Sequence, residues 1–273
     1  MEFTPVYSAR YSDDEIRDLF FQAKYPTKKC DFCDSGDVYF VDEARTKLRC
    51  KTCWKKSSLT NNTWLDSTKL SLRFWHEVIW SFVLNHPSSK TQKLLRTNNH
   101  QTILRIYRTI REAMADRSRR SFAPKKAGNG SGKAKPDSTV KEFADGAVEE
   151  DHPVYAVYKI DGELRLKLVD GLRETEEGED TGTDAFDSAT GEVEPIGLGC
   201  LFHGRGEYLD KSLNVPLEGL WNFAKNHMQI YQGVRRENWS RYLKEIEFKY
   251  NVRNEPYERQ VDQIVNLLMS RVE

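Results

Sequence analysis

Apolar residues recur at helical spacing along several stretches of this chain and alternate, as strands do, along others. Over LSLRFWHEVIWSFVLNH, Leu72, Trp75, Val78, Ile79 and Phe82 keep to one helical face, and Asn85, His86 and Pro87 end the run. KTQKLLRT reads as a second, short helix capped by Ser88 or Ser89, and HQTILRIYRTIREAMADR as a third capped by Asn98 or Asn99. In that third run Ile103, Ile106, Tyr107 and Ile110 stand at i, i+3, i+4 and i+7, a narrow buried stripe; Gln101, Thr102, Arg105 and Arg108 take the opposite face. Alternation appears in VYFV, in KLRC, and in PVYAVYKI and ELRLKLVD, which flank Asp161 and Gly162, a pair that favours a type I′ hairpin. Near the end, the stretches around Tyr242 to Tyr250 and Glu258 to Leu268 predict helices whose apolar faces cover a sheet. After Asp116 the text RSRRSFAPKKAGNGSGKAKPDST carries no apolar period and reads as a flexible basic linker.

The cysteines add chemistry to this frame. Cys30, Cys33, Cys50 and Cys53 are spaced C-x2-C, sixteen residues, C-x2-C, the pattern of two knuckles closing one tetrahedral zinc site. Thiolates two residues apart reach one ion from a tight turn, and Asp31, Asp34, Ser35 and Gly36 supply turn residues beside the first knuckle. Such a closed site contributes folding energy and not catalysis. A disulfide pair is the alternative, and Cys200 stands outside the set as a small buried or free thiol.

Formal charge is zero over 273 residues, with 38% hydrophobic composition, which suits a soluble chain of two or three domains, cytoplasmic and nucleoid-associated or else nuclear. The longest apolar run, around FWHEVIW and SFVL, is broken by His76, Glu77 and Asn85, so no membrane span is expected; the start MEFTPVYSARYSDDE does not read as a secretion signal. The zero average hides a separation, with residues 1–139 at roughly +11 and residues 140–273 at roughly −11. A basic first half suits double-stranded DNA. Lys51, Lys55 and Lys56, beside Trp54 at the second knuckle, are candidate phosphate contacts. Two short helices and a basic third match a helix-turn-helix, nominating Gln101, Thr102, Arg105 and Arg108 for the major groove; a generic three-helix core with solvated arginines is the alternative.

From Val215 to Asn254 the chain reads VPLEGLWNFAKNHMQIYQGVRRENWSRYLKEIEFKYNVRN, and helical spacing puts Glu218, Trp221 and Lys225 on one stripe. By itself that stripe describes an ordinary amphipathic helix. Its LEGLW, the lysine four residues on and YLKEIEFKYNVRN resemble the C-terminal signature of insertion-sequence transposases related to eukaryotic Merlin elements, a DD(E/N) family with an RNase H-like catalytic domain. The resemblance implies that Glu218 is the third catalytic carboxylate. It also implies a zinc ribbon and helix-turn-helix ahead of the catalytic domain, magnesium if the enzyme is active, and a self-associating protein on DNA. GTDAFDS resembles the family's second acidic stretch and nominates Asp184, and His203 stands in its Asn-His element. STVKEF, however, places Lys141 where the first metal-binding Asp belongs, and an ammonium there would repel two metal ions.

The expected fold is therefore multidomain α+β: an N-terminal helix over 1–25, zinc ribbon over 26–62 and helix-turn-helix over 63–118. A linker over 119–139 and a shortened RNase H-like α/β domain with C-terminal helices over 140–273 follow, with an acidic insertion around 171–194. The leading function is a transposase-family DNA-binding protein with a degenerate catalytic domain. Two alternatives are an active magnesium-dependent cut-and-paste transposase using Asp145 or Glu142 with Asp184 and Glu218, and a zinc-ribbon module that binds another protein.

Overall fold

A computed structural model describes residues 3–26, 29–42, 46–122, 154–169, 194–200, 206–208, 217–231 and 234–270. Among them the chain is mixed α/β, with seven α-helices and two small antiparallel sheets. In order these are α1 (Asp13–Lys24), β1 (Val38–Phe40), β2 (Lys47–Cys50), β3 (Lys56–Ser58), α2 (Leu72–Val83), α3 (Ser88–Leu94) and α4 (His100–Phe122). The chain continues with β4 (Val154–Ile160), β5 (Glu163–Val169), β6 (Glu194–Cys200), β7 (Gly206–Tyr208), α5 (Leu217–Ile230), α6 (Trp239–Val252) and α7 (Tyr257–Met269). It divides into two compact units, Met1–Ala113 with Glu255–Glu273, and Met114–Asn254, so the division falls inside α4. None of the described helices is long and apolar enough to cross a membrane.

In the first unit α2 is the centre, buried at every position from Phe74 to Val83. Burying Glu77 there is costly unless its charge is hydrogen-bonded. Its carboxylate accepts from the N–H groups of Val6, Tyr7 and Ser8 (2.9, 3.0 and 2.8 Å) and from Ser8 Oγ (2.5 Å), which ties the N-terminal segment to α2. α1 begins at Ser12, whose side chain and that of Glu15 form a reciprocal capping box. α7 packs on α1 and α2, and Trp64 N–H donates to Leu268 O at 3.1 Å. The expectation that the last helix covers a sheet is thus corrected: its buried Val261, Ile264, Val265 and Leu268 belong to the helical unit.

Two further boundaries differ from the sequence pattern. Neither Ser88 nor Ser89 caps α3; Pro87 holds that position with φ −57, and Ser88 Oγ meets His100 Nε2 instead at 2.9 Å. α4 runs past Asp116 to Phe122, where a linker was expected, because Ser118 turns inward and is fully buried. Asn99 does cap α4, accepting from Thr102 N–H at 3.0 Å.

The second unit is built on a sheet of order β5-β4-β6-β7, antiparallel throughout. The β4–β5 turn is left-handed at both residues, Asp161 at φ 51 and Gly162 at φ 82, as type I′ requires. β4 is flanked on both sides, by β5 and β6, so no free edge of β4 is left for another strand. α5 contributes Leu217, Leu220, Trp221, Ala224 and Met228 to a core shared with Tyr155, Val157, Leu166 and Ile196. Trp221 lies so close over Gly199 that a Cβ there would stand 2.6 Å from the indole.

α6 has a different task. Lys244, Glu247 and Asn251 form a helical stripe against the outer edge of β5. Asn251 accepts from Leu164 N–H at 3.0 Å and donates to Leu164 O at 2.8 Å; Glu247 accepts from Leu166 N–H at 2.7 Å, and Lys244 donates to Leu166 O. These side chains pair the edge as a neighbouring strand would. Lys244 sits deep enough that burial pulls its pKa down despite the Glu247 carboxylate at 2.8 Å.

Candidate metal centre and nucleic-acid face

β1, β2 and β3 form a small meander in which β2 is central, with Leu48 and Cys50 buried. The register Val38↔Cys50 brings the second knuckle across from the end of the first. Each knuckle has the same backbone plan. Asp34 N–H donates to Cys30 O (3.2 Å) and Trp54 N–H to Cys50 O (3.1 Å); Cys30 N–H donates to Ser35 O (2.8 Å) and Cys50 N–H to Lys55 O (3.1 Å). The residue after each second cysteine is left-handed, Asp34 at φ 55 and Trp54 at φ 60, a conformation that glycine would adopt without penalty. Ser35 Oγ and Thr52 Oγ1 join the two turns at 2.8 Å.

This plan brings all four Sγ atoms within 4.8 Å of one another. Cys30 and Cys53 are 3.7 Å apart and Cys33 and Cys50 3.6 Å. Those separations are too long for a disulfide at about 2.05 Å. They match the edge of a tetrahedron with metal–sulfur bonds of about 2.3 Å, which is about 3.8 Å. Phe32 N–H points at Cys30 Sγ (3.4 Å) and Thr52 N–H at Cys50 Sγ (3.3 Å), donors that favour thiolates. The Cys53 N–H, with that of Thr52, pulls Cys50 down to about 6 against its burial. Ser35 N–H acts likewise on Cys33, but burial and the neighbouring thiols push it up to about 12. Four thiols this close do not all ionise unless a cation offsets them, so the cluster fits a metal ion and is compatible with structural zinc.

Lys51, Lys55 and Lys56 are all exposed on this ribbon. Its exposed apolar side chains are Trp54 at 61%, Phe32 at 44% and Val41 at 39%. Arg49 lies 5.2 Å from the Trp54 ring centre and Lys55 4.8 Å from that of Phe32. Phe32 was not singled out by its place in the sequence, since an aromatic inside a knuckle reads equally well as a core residue.

The three runs nominated as a helix-turn-helix are the helices α2, α3 and α4. Tyr107 OH donates to His86 O at 2.8 Å and meets Thr91 Oγ1 at 2.8 Å, locking α4 onto α3 and the turn before it. The inward stripe is as expected, with Ile103, Ile106, Tyr107 and Ile110 at 2% exposure or less. Outward, Gln101, Arg105 and Arg108 are exposed, and Arg108 pairs with Glu112 at 2.8 Å. Thr102 is corrected: at 8% exposure it faces the core side, because it lies beside Ile103 and Ile106 around the helix. Leu104, 39% exposed, takes its place among the outward residues. Between Glu77 and Glu112 the sequence holds no acid. Lys90, Lys93, Arg96, Arg105 and Arg108 of that stretch are exposed, while Arg111 is buried over the rings of Phe82 and Tyr107.

Glu218 lies in the first turn of α5 and is exposed. The stripe it was expected to share is split, because Trp221 belongs to the buried set with Leu217, Leu220 and Ala224, while Glu218 follows Leu217 by one residue and turns away. Lys141, Glu142, Asp145, Asp184 and His203 lie outside the described residues. Among the described residues, the four cysteines form the one group of His, Cys, Asp or Glu close enough to hold a metal ion. The YLKEIEFKYNVRN text is taken up by structure: Glu245, fully buried, holds Lys249 (2.7 Å), His227 (3.2 Å) and Tyr231 OH (2.9 Å). No protein-family model, curated protein or solved structure matches this chain.

Proposed function

We propose that this chain is a zinc-stabilised protein that binds double-stranded DNA through the α3–α4 pair, with the ribbon lysines adding phosphate contacts. The observation that carries this reading is the acid-free stretch of sequence from residue 78 to 111, which presents Lys90, Lys93, Arg96, Arg105 and Arg108 outward around a helix locked onto its neighbour, with Glu112 meeting Arg108 at its far end. A cluster of exposed basic side chains neutralises phosphates and releases counterions, and the N-terminal residues of a recognition helix reach base edges. Gln101 and Arg105, near the start of α4, are the side chains suited to adenine and guanine edges. Zinc is the ion that Cys30, Cys33, Cys50 and Cys53 would hold; with four sulfur ligands it has no open position and supplies folding energy.

The likeness of the second unit to a shortened RNase H-like transposase domain belongs to the same proposal, and in it catalysis is lost. Support comes from Lys141 at the first acidic position, and from β4, whose two edges are already taken by β5 and β6. The competing reading, an active magnesium-dependent transposase, keeps Glu218, exposed at the start of α5. Titrating the full chain onto duplex DNA at several salt concentrations, with and without magnesium or manganese, separates the two. The proposal expects binding that weakens steeply with salt, loses about 1–3 kcal/mol in Arg105→Ala, and leaves the strands intact. Strand cleavage abolished by Glu218→Gln would make this a working transposase, and salt-insensitive or absent binding would remove DNA from the account.

A further inference from the structure

Resting on the DNA-binding reading, we propose that the tips of the two knuckles form a stacking site for unpaired DNA bases, with Trp54 as its platform and Phe32 as its second ring. Trp54 is the most exposed large apolar side chain among the described residues. Its backbone is held from both sides: its N–H donates to Cys50 O (3.1 Å), and its carbonyl accepts from Arg49 Nε (3.4 Å). It also stands at φ 60, a left-handed site where glycine would fold more readily. A large apolar side chain left exposed on a backbone held in place is available to a ligand.

The surroundings select the class of ligand. Arg49 and Lys55 sit over one face of the Trp54 and Phe32 rings, at 5.2 and 4.8 Å, and Lys51 and Lys56 are exposed nearby in sequence. From residue 44 to 65 the sequence holds no acid, while on the Phe32 knuckle Asp31 is paired with Lys24 and Asp34 and Asp37 are exposed. Aromatic faces interleaved with cations suit a nucleic-acid strand, in which phosphates meet the cations and bases meet the rings. A base inside a duplex offers no face, since both sides are covered by its neighbours. A base that meets Trp54 flat is therefore unpaired, at a strand end, a nick or an opened segment. Among the described residues the α3–α4 pair shows no comparable exposed ring, its exterior including Lys90, Lys93, Gln101, Leu104, Arg105 and Arg108, so the two surfaces read different states of DNA.

The test uses the zinc-loaded full chain, a blunt duplex, and the same duplex carrying a short unpaired tail with 2-aminopurine. Tailed DNA should bind roughly tenfold more tightly than blunt DNA, the free-energy scale of one stacked base, with the 2-aminopurine emission quenched on binding. Trp54→Leu should bring the ratio of the two affinities to about one and abolish the quench, whereas Trp54→Phe should keep both in reduced form. Arg105→Ala should lower both affinities and leave the ratio in place. Zinc stoichiometry measured on each variant shows that the ribbon is folded. Equal affinity for the two DNAs, or a ratio and a quench that persist in Trp54→Leu, overturns the stacking site and leaves duplex binding standing. Failure to bind either DNA overturns both readings.

Discussion

Asn251 is a polar side chain asked to stand in for a β-strand, and replacing it tests whether α6 closes the edge of β5. Its Oδ1 accepts from Leu164 N–H at 3.0 Å and its Nδ2 donates to Leu164 O at 2.8 Å, so the amide matches the backbone in the manner of a paired residue. Asn251→Ala removes both partners at once from half-buried groups. At about 1 kcal/mol for each net bond, and somewhat more where water reaches the freed groups poorly, the loss is about 2–3 kcal/mol. Asn251→Asp is the sharper perturbation, because it keeps the acceptor for Leu164 N–H and sets a second acceptor against Leu164 O. It is therefore expected to cost at least as much as the alanine, although it preserves shape. Hydrogen exchange resolved to the β5 segment, with urea unfolding of the full chain, reads both effects. Leu164 N–H should lose its protection in the alanine variant and less of it in the aspartate variant, which keeps its acceptor, while Leu166, held by Glu247 at 2.7 Å and by Lys244, should retain most of its own. An aspartate variant as stable and as protected as the wild type would show that the edge is satisfied by other means.

On the proposed zinc assignment, a strong chelator or Cys33→Ser should unfold the β1–β3 ribbon and release one equivalent of zinc, as read by elemental analysis and circular dichroism; a ribbon that keeps its structure would argue against a metal-built fold. Burial, with Arg73 and Arg10 nearby, lowers His76 to about 4 in the folded chain, against 6.5 for the free side chain. The unfolded state therefore binds the extra proton between those values, and stability present above pH 6.5 should fall by about 3 kcal/mol as pH drops through 4. His76→Gln, which keeps an acceptor for Trp80 Nε1, should flatten that part of the pH profile, and an unchanged difference between pH 7 and pH 4 would refute the assignment. Gly199→Ala places a Cβ 2.6 Å from Trp221 and 2.7 Å from the Tyr155 ring, so it should cost about 1–3 kcal/mol in thermal unfolding; a neutral result would mean that α5 yields freely over β6.

Much of this protein was legible locally because the deciding interactions span a few residues. The C-x2-C spacing, the Asp161–Gly162 turn, the Asn99 cap and the inward stripe of α4 each follow from chain geometry over one turn or one hairpin, and each took the form its residues required. Exposed Gln101, Arg105 and Arg108 were readable for the same reason, whereas Thr102 was misplaced by a small angle around the helix that only packing resolves. What the sequence by itself determined is thus the knuckles, the hairpin and the periodic face of each helix.

Tertiary structure decided which surface each face would meet. The apolar stripe of α7 suits a sheet and a helix pair equally, and its contacts with α1 and α2 settled the matter. The charges of α6 suited solvent as well as a core; Glu245 and Glu247 are buried because His227, Lys249, Lys244 and the β5 backbone are there to meet them. Likewise Glu218 parted from Trp221 when α5 turned Leu217, Leu220 and Ala224 toward β6, with Trp221 resting over Gly199. Periodicity states that a face is apolar or a side chain charged. Its partner lies far away in sequence, and only the folded chain brings the two together.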